Sequence, residues 1–403
     1  SARPTRVANG HGDLLGKTIG DRYVIKDVLG QGGMGTVYVA EQESIQRTVA
    51  IKVLHREYAD SPDVVRRFHQ EALAASRLSH PNTISIYDFG QMEQVLYIAM
   101  EHLKGETLDS AISASGGFGV DRALTILKQV LKSVGEAHKQ DIVHRDLKPE
   151  NIFLMHVGDE RDFVKVLDFG VAKLGKVGDD QATITMAGSV FGTPRYMAPE
   201  QSQDVDLDRR ADLYSLGVVF YEMLTGHVPF GSENPLSVLM AHATQPPPRF
   251  SRLKPDLKIP EAVEAVVFKA LAKDPSRRYQ TASEMAEDIE RLILLVDGRA
   301  DADVTRSLPS LEQVLPAAGV KTVADTLSGM QGWSALNALG EQLTSGAVED
   351  AVDLRALVEE KVRPIGTRRT TAEWLEETFA GRTEQWRLSL DEGDSAAQEK
   401  ALV

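Results

Sequence analysis

The string Gly30-Gln31-Gly32-Gly33-Met34-Gly35-Thr36-Val37 sets glycines where backbone amides can lie over a polyphosphate with no Cβ in the way. An ordinary Gly-rich turn explains the isolated string equally well, and dinucleotide-binding folds use similar glycines. Those folds follow their glycines with a helix, whereas Thr36 to Ala40 is β-branched and strand-like, so these glycines tip a hairpin. Lys52 ends the next apolar run, Val49-Ala50-Ile51-Lys52, and Glu71 lies further on in a helical pattern. A carboxylate there can hold the ammonium against the α- and β-phosphates of a nucleotide. Taken singly, Lys52 reads as a solvated strand-edge cation and Glu71 as a helix-surface charge.

The elements that must position these groups are legible from periodicity. Tyr23-Val24-Ile25, Thr36-Val37-Tyr38-Val39, Val49 to Val53 and Leu96 to Met100 are short β-branched and apolar runs, hence strands. Between them Val64, Phe68, Ala72, Ala75 and Leu78 recur at helical spacing, closed by His80-Pro81-Asn82. From Asp121 the period stays at three and four through Leu124, Leu127, Leu131, Val134 and His138. Apolar helices are predicted again at 211–224, 262–271 and 283–295. A mainly β part precedes a mainly helical part, which argues for an α+β fold rather than a doubly wound sheet.

The chain has 403 residues, 26% charged and 42% hydrophobic, so it should fold as two to four structural units. Forty-five Lys and Arg against 59 Asp and Glu give a net charge of −14, the wrong sign for a nucleic-acid-binding protein. With no Cys there is no disulfide framework, thiol nucleophile or Cys-based zinc site. No membrane span is expected, since no apolar run reaches 18 residues. Residues 1–17 are polar and aperiodic and read as a flexible leader. Residues 297–403 carry 19 acidic and 11 basic side chains, with all three tryptophans, Trp333, Trp374 and Trp386. Helical spacing at 347–362 and 371–379 makes this an acidic helical tail rather than a disordered one.

The decisive string is His144-Arg145-Asp146-Leu147-Lys148-Pro149-Glu150-Asn151, followed by Asp168-Phe169-Gly170 and Ala198-Pro199-Glu200. With the glycine string and Lys52, these motifs resemble the protein kinase family, in family order over about two thirds of the chain. The resemblance implies a bilobal protein kinase fold: a small β-rich N-lobe (18–101), a hinge (101–105), a larger α-helical C-lobe (106–296) and the extra tail (297–403).

It also implies roles. Phosphoryl transfer needs cation clamps and a positioned acceptor more than covalent chemistry. Asp146 would orient the substrate hydroxyl and accept its proton, Lys148 would reach the γ-phosphate, and Lys52 with Glu71 would clamp the α- and β-phosphates. Thr193 would hydrogen-bond near Asp146 and Lys148. Asn151 and Asp168 would supply oxygen ligands to Mg2+. Gly30, Gly32, Gly33 and Gly35 would cover the phosphates of ATP. Leu29, Val37, Ala50 and Phe153 would face the adenine, with Met100 at the back of the pocket and Glu101 to Leu103 as the hinge. Phe153 departs from the smaller Leu or Met usual at that position.

Lys148 within its motif and Gly192-Thr193-Pro194-Arg195-Tyr196 resemble serine/threonine rather than tyrosine kinases, and Met197, Gln201 and Gly32-Gly33-Met34-Gly35 resemble the bacterial branch of eukaryotic-like kinases. The expected partners are ATP and proteins bearing Ser or Thr, the expected location is the cytoplasm, and the rival reading is a pseudokinase scaffold. Arg145 and Lys173 resemble a basic pocket filled by an activation-segment phosphate, so autophosphorylation is expected at Thr183, Thr185 or Ser189. Glu200 with Arg278 resembles the family's buried ion pair, and Asp212 its brace for the catalytic loop. Glu106 and Glu150 are candidates for a basic substrate residue, or Glu106 for the ribose. The tail is expected to dock on the lobes, recruit a partner protein or promote a homodimer; a purely stabilising extension is an equal alternative.

Overall fold

The computed structural model describes residues 14–32, 35–55, 62–92, 95–169, 194–202, 207–232, 234–253 and 259–315. Strands β1 (Thr18–Ile19), β2 (Tyr23–Gly32), β3 (Gly35–Gln42), β4 (Arg47–Leu54), β5 (Ile86–Met92) and β6 (Val95–Glu101) form an antiparallel sheet in the order β1-β2-β3-β4-β6-β5. Alternation along β4 explains its two faces. Val49, Ile51 and Val53 join one apolar cluster with Tyr23 and Tyr38, while Ala50 and Leu54 join another with Met100. Helix α1 (Pro62–Ser76) contributes Val64, Phe68 and Ala72 to that second cluster, so the predicted helical stripe is the buried one.

A smaller sheet, β7 (Gly105–Thr107), β8 (Ile152–Val157) and β9 (Glu160–Val166), follows among helices α2 (Leu108–Ser115), α3 (Val120–Lys139), α4 (Arg209–Thr225), α5 (Pro235–Thr244), α6 (Phe250–Leu253), α7 (Glu261–Ala270) and α8 (Ala282–Val296). Side-chain caps fix three starts: Thr107 accepts from the Ser110 amide, Asp208 from Arg210 and Thr281 from Glu284. The predicted face of α3 is buried through Leu124, Leu127, Leu131 and Val134. Helix α4 is buried nearly all round, with Leu213, Leu216, Val219 and Phe220 fully enclosed, which makes it the spine of the helical part. The chain divides into two units, and α5 lies in the smaller one; every other element named here lies in the larger.

Packing runs past both expected ends of the bilobal body. Leu14, inside the expected leader, is buried with Ile19 and Ile25. Beyond Val296, α9 (Ala302–Ser307) and α10 (Leu311–Val314) follow, and Leu308, Leu311 and Val314 are buried in the same core as α4 and α8. Three apolar side chains at threefold spacing are too short a signal to read as a core element from sequence. The tail helices expected at 347–362 and 371–379, and all three tryptophans, lie outside the described residues.

Candidate active site

The loop between α3 and β8 is held from beneath by one carboxylate. Asp212, near the start of α4, is 1% exposed and accepts from the backbone amides of His144 and Arg145, each at 2.8 Å. His138 Nε2 donates to the same group at 2.8 Å. The His144 ring donates from Nε2 to the Leu167 carbonyl at 2.7 Å, and its centroid lies 4.7 Å from that of Phe169. The loop is thereby tied to the segment that carries Asp168. Arg145 and Asp168 both sit at positive φ, 68° and 56°, a conformation that bulky residues keep only when their surroundings impose it.

Asp146, Lys148 and Asn151 converge on the upper side of this loop. Lys148 Nζ lies 3.0 Å from Asp146 Oδ2. Asn151 donates from Nδ2 to the Asp146 carbonyl at 2.7 Å and to its Oδ2 at 3.0 Å, which leaves Oδ1 as the amide's remaining ligand atom. Lys52, opposite Val37 and Ile98 on β4, reaches across to Asp168 Oδ2 at 2.7 Å. Burial raises the Asp168 pKa, but Lys52, His144 and Lys148 outweigh it and hold the carboxyl below its ordinary range.

The remaining predicted residues fall around this center. Val37 and Leu103 pack on the cluster that includes Ala50 and Met100, and Leu29 is half exposed on β2. Phe153 pairs with Thr107 across β7 and β8. Met100, Ile98, Asp168 and Phe169 border a small cavity behind this wall. An ideal Cβ on Gly30 meets nothing within 4 Å, and one on Gly32 meets the Gly35 carbonyl only at 3.9 Å. Packing therefore leaves these two positions open to a ligand. Glu71 lies on α1, but the expected pairing of its side chain with Lys52 lies outside what is described, as do Gly33, Thr193, Lys173 and the hydroxyls of Thr183, Thr185 and Ser189.

Residues 23–288 match the protein kinase domain family. The chain belongs to the protein kinase family. The chain is 42% identical over 279 residues to serine/threonine-protein kinase pkn3 of Myxococcus xanthus, covering 69% of this chain and 51% of that protein. It is 40% identical over 317 residues to serine/threonine-protein kinase PrkC of Bacillus subtilis, covering 76% and 47%. The chain thus spans about half the length of the curated relatives it matches. Among solved structures, the Mycobacterium tuberculosis PknI kinase domain superposes with a TM-score of 0.54 at 28% identity, covering 68% of this chain and 97% of that one. These matches bear out the bacterial, eukaryotic-like character of the kinase domain and its bilobal α+β fold.

Oxygen and nitrogen chemistry at the site fits a magnesium nucleotide. Among the described residues no group of three or more His, Asp or Glu side chains is placed to hold a metal. One carboxylate and one amide oxygen suit Mg2+, which takes few protein ligands and completes its shell with phosphate and water.

Two contributors, Gln201 and the Tyr196–Glu222 pair, carried no sequence signal of their role, whereas a third contact was expected. Gln201 accepts from the Ala198 amide at 2.7 Å and donates to the Arg145 carbonyl at 3.0 Å, tying the Ala-Pro-Glu segment to the loop. Arg278 grips Glu200 with two guanidinium nitrogens at 2.6 and 2.8 Å, the pairing expected for these two. Tyr196 donates to Glu222 at 2.7 Å. Burial, with the nearby acids Glu150 and Asp109, raises the Glu222 pKa against the lowering effect of that hydrogen bond.

Proposed function

We propose that this chain is a protein serine/threonine kinase that transfers the γ-phosphoryl group of ATP to Ser or Thr hydroxyls, using Mg2+. The observation that carries this reading is the convergence of Lys52 on Asp168 at 2.7 Å beside Asp146, Lys148 and Asn151. In transfer, the hydroxyl oxygen bonds to the γ-phosphorus, the bond to the β,γ-bridging oxygen breaks, and ADP leaves. Asp146 positions the hydroxyl and takes its proton. Lys148 and Lys52 place positive charge where negative charge develops, and both are held there before substrate arrives. Asn151 and Asp168 would hold Mg2+, which when bound neutralises phosphate charge. The hinge from Glu101 to Leu103 with Val37, Ala50, Met100 and Phe153 would seat the base.

Activation by autophosphorylation is part of the proposal. Arg145 Nε is buried and has no hydrogen-bond partner among the described residues, which suits a guanidinium awaiting an anion. Nothing favours the pseudokinase reading, since lysine, base and metal ligands are all present. No helix among the described residues is long and apolar enough to cross a membrane. Incubation with labelled ATP and a general Ser/Thr protein substrate tests the proposal, with Asp146→Asn as control. Label from the unaltered chain alone supports it; equal label from both sinks it.

A further inference from the structure

The peptide link from Arg145 to Asp146 is pinned on both sides. Its N–H, on Asp146, donates to His144 Nδ1 at 3.3 Å, and its carbonyl, on Arg145, accepts from Gln201 Nε2 at 3.0 Å. Arg145 also donates its own amide to Asp212 Oδ1 at 2.8 Å and holds φ at 68°. A residue with a side chain keeps that left-handed conformation only where its surroundings impose it. Among the described residues, Asp212 and Gln201 are the side chains from outside the loop that hold the Arg145 backbone, one at the amide and the other at the carbonyl.

The orientation of the Gln201 amide is forced by its partners. The Ala198 N–H can only donate and the Arg145 carbonyl can only accept, so Oε1 faces Ala198, at 2.7 Å, and Nε2 faces Arg145. The turn that carries Gln201 is itself fixed. The Gln201 amide donates to the Ala198 carbonyl at 3.0 Å, and the Ser215 hydroxyl donates to the Tyr196 carbonyl at 2.8 Å. Arg278 grips the adjoining Glu200 at 2.6 and 2.8 Å. By contrast, the contacts of Asp146 Oδ2, with Lys148 and Asn151 at 3.0 Å each, come from inside its own loop and travel with it. Where the loop puts Asp146 is therefore set by Asp212 and Gln201.

We propose that Gln201 is a positioning residue for phosphoryl transfer: its amide holds the Arg145 carbonyl so that Asp146 faces the acceptor hydroxyl. The proposal rests on the reading of Asp146 as the base. Without the Nε2 donor the Arg145 carbonyl loses a part-buried partner, and the residue loses one of the holds on its left-handed conformation. That carbonyl carbon is bonded to the Asp146 nitrogen, so relaxation at Arg145 swings Asp146. Misplacing a reacting group by about 1 Å costs up to roughly 10²-fold in rate. The contact also makes the base depend on the segment 194–202, since a segment out of place withdraws the donor. A role confined to capping the 198–201 turn would need only Oε1.

The test is Gln201→Glu in the full chain, with turnover of a general protein substrate counted per nucleotide-binding site by titration with a non-hydrolysable ATP analogue. A carboxylate still accepts from the Ala198 amide, so the turn is kept, but it has no proton for the Arg145 carbonyl. The kcat per site is expected to fall roughly 10- to 100-fold, with KM for MgATP changed by less than about twofold. Protonation gives the carboxyl a donor again, and facing a carbonyl oxygen favours that form, so the deficit should narrow as pH falls toward about 6. Gln201→Met fills the same space with neither charge nor donor and should show its deficit at every pH; it also decides the matter if the carboxylate unfolds the chain. Unchanged kcat per site in Gln201→Met overturns the proposal, as does a loss in Gln201→Glu alone, which would be the new charge acting on Asp146. A loss that consists only of fewer nucleotide-binding sites, or a Gln201→Glu deficit that ignores pH, assigns Gln201 to its turn and overturns the proposal too. An unaltered chain that binds the analogue but modifies no substrate sinks the kinase reading, and the role of Gln201 with it.

Discussion

Lys165 Nζ lies 2.7 Å from Glu101 Oε1 and joins the end of β6 to β9, with side chains 11% and 19% exposed. The same ammonium donates to the Thr83 carbonyl at 3.2 Å, and Glu101 Oε1 accepts from the Ser85 amide at 2.7 Å. Segment 82–85 is gripped again by Val166, whose amide donates to the Asn82 carbonyl, and by Ser133, 2.7 Å from the Thr83 hydroxyl. The expected hinge residue is therefore also a structural anchor. Lys165→Met leaves the Glu101 carboxylate without its cation and should cost about 2–3 kcal/mol, somewhat less than a fully buried pair. Lys165→Met/Glu101→Leu should recover most of that loss in urea unfolding; a double variant as unstable as the single would contradict it.

Lys52→Met and Asp168→Asn should each lower phosphoryl transfer roughly 10²–10³-fold, the usual cost of losing one preorganised electrostatic group. Stability gives a second readout. The folded pKa of Asp168 lies below its ordinary value of 3.8, so the Lys52 contact stabilises the fold above that value and is lost as pH falls through the folded one. The stability gap between the unaltered chain and Lys52→Met should be widest at neutral pH and close in acid. A gap that does not narrow below about pH 4 would mean the pair contributes nothing.

Asp212→Ala strips three donors, the His138 ring and the amides of His144 and Arg145, of their buried acceptor. Each orphaned donor costs about 1–3 kcal/mol, so a loss of roughly 4 kcal/mol is expected in chemical denaturation. Transfer by the fraction still folded should fall too, because Asp146 follows directly on the released loop.

Two glycines of one string should behave oppositely. An ideal Cβ on Gly35 would stand 2.1 Å from the Val53 carbonyl, so Gly35→Ala must push β3 from β4 and lower the melting temperature. Gly30→Ala meets open space and should leave the melting temperature within a degree or so while weakening nucleotide affinity. Calorimetry with an ATP analogue separates the two effects, and equal thermal losses would count against the reading.

Truncation should depend sharply on where it falls. Ending the chain after Val296 removes Leu308, Leu311 and Val314 from the core, each worth about 1.5–3 kcal/mol of burial. Ending it after Leu315 keeps all three. The shorter chain should unfold at markedly lower denaturant than the longer one, so activity comparisons that probe the tail belong on the longer truncation.

Much of the larger unit was legible because its signals are local. The stripe Leu124, Leu127, Leu131 and Val134 is the buried face of α3, and the β-branched runs around Lys52 are β3 and β4. Lys165 was not legible: it stands between the buried Val164 and Val166, where alternation puts a strand's polar residue on the opposite face toward solvent. Its burial follows from a carboxylate 64 residues earlier, which no local pattern encodes. The same holds for Gln201, a polar residue in a short turn whose partners lie on a distant loop.

The sequence by itself determined the chemistry on offer: two lysines, a candidate base and two candidate oxygen ligands, Lys52, Lys148, Asp146, Asn151 and Asp168, at spacings that short-range turns and strands preserve. Only the tertiary structure decided how those groups are held. Lys52 meets Asp168 across 116 residues, Asp212 fastens a loop it follows by 68, and Leu308 to Val314 close a core begun at α4. Periodicity reports which face of an element is apolar, whereas the partner of a buried charge depends on how distant elements pack, and that packing is a property of the whole chain.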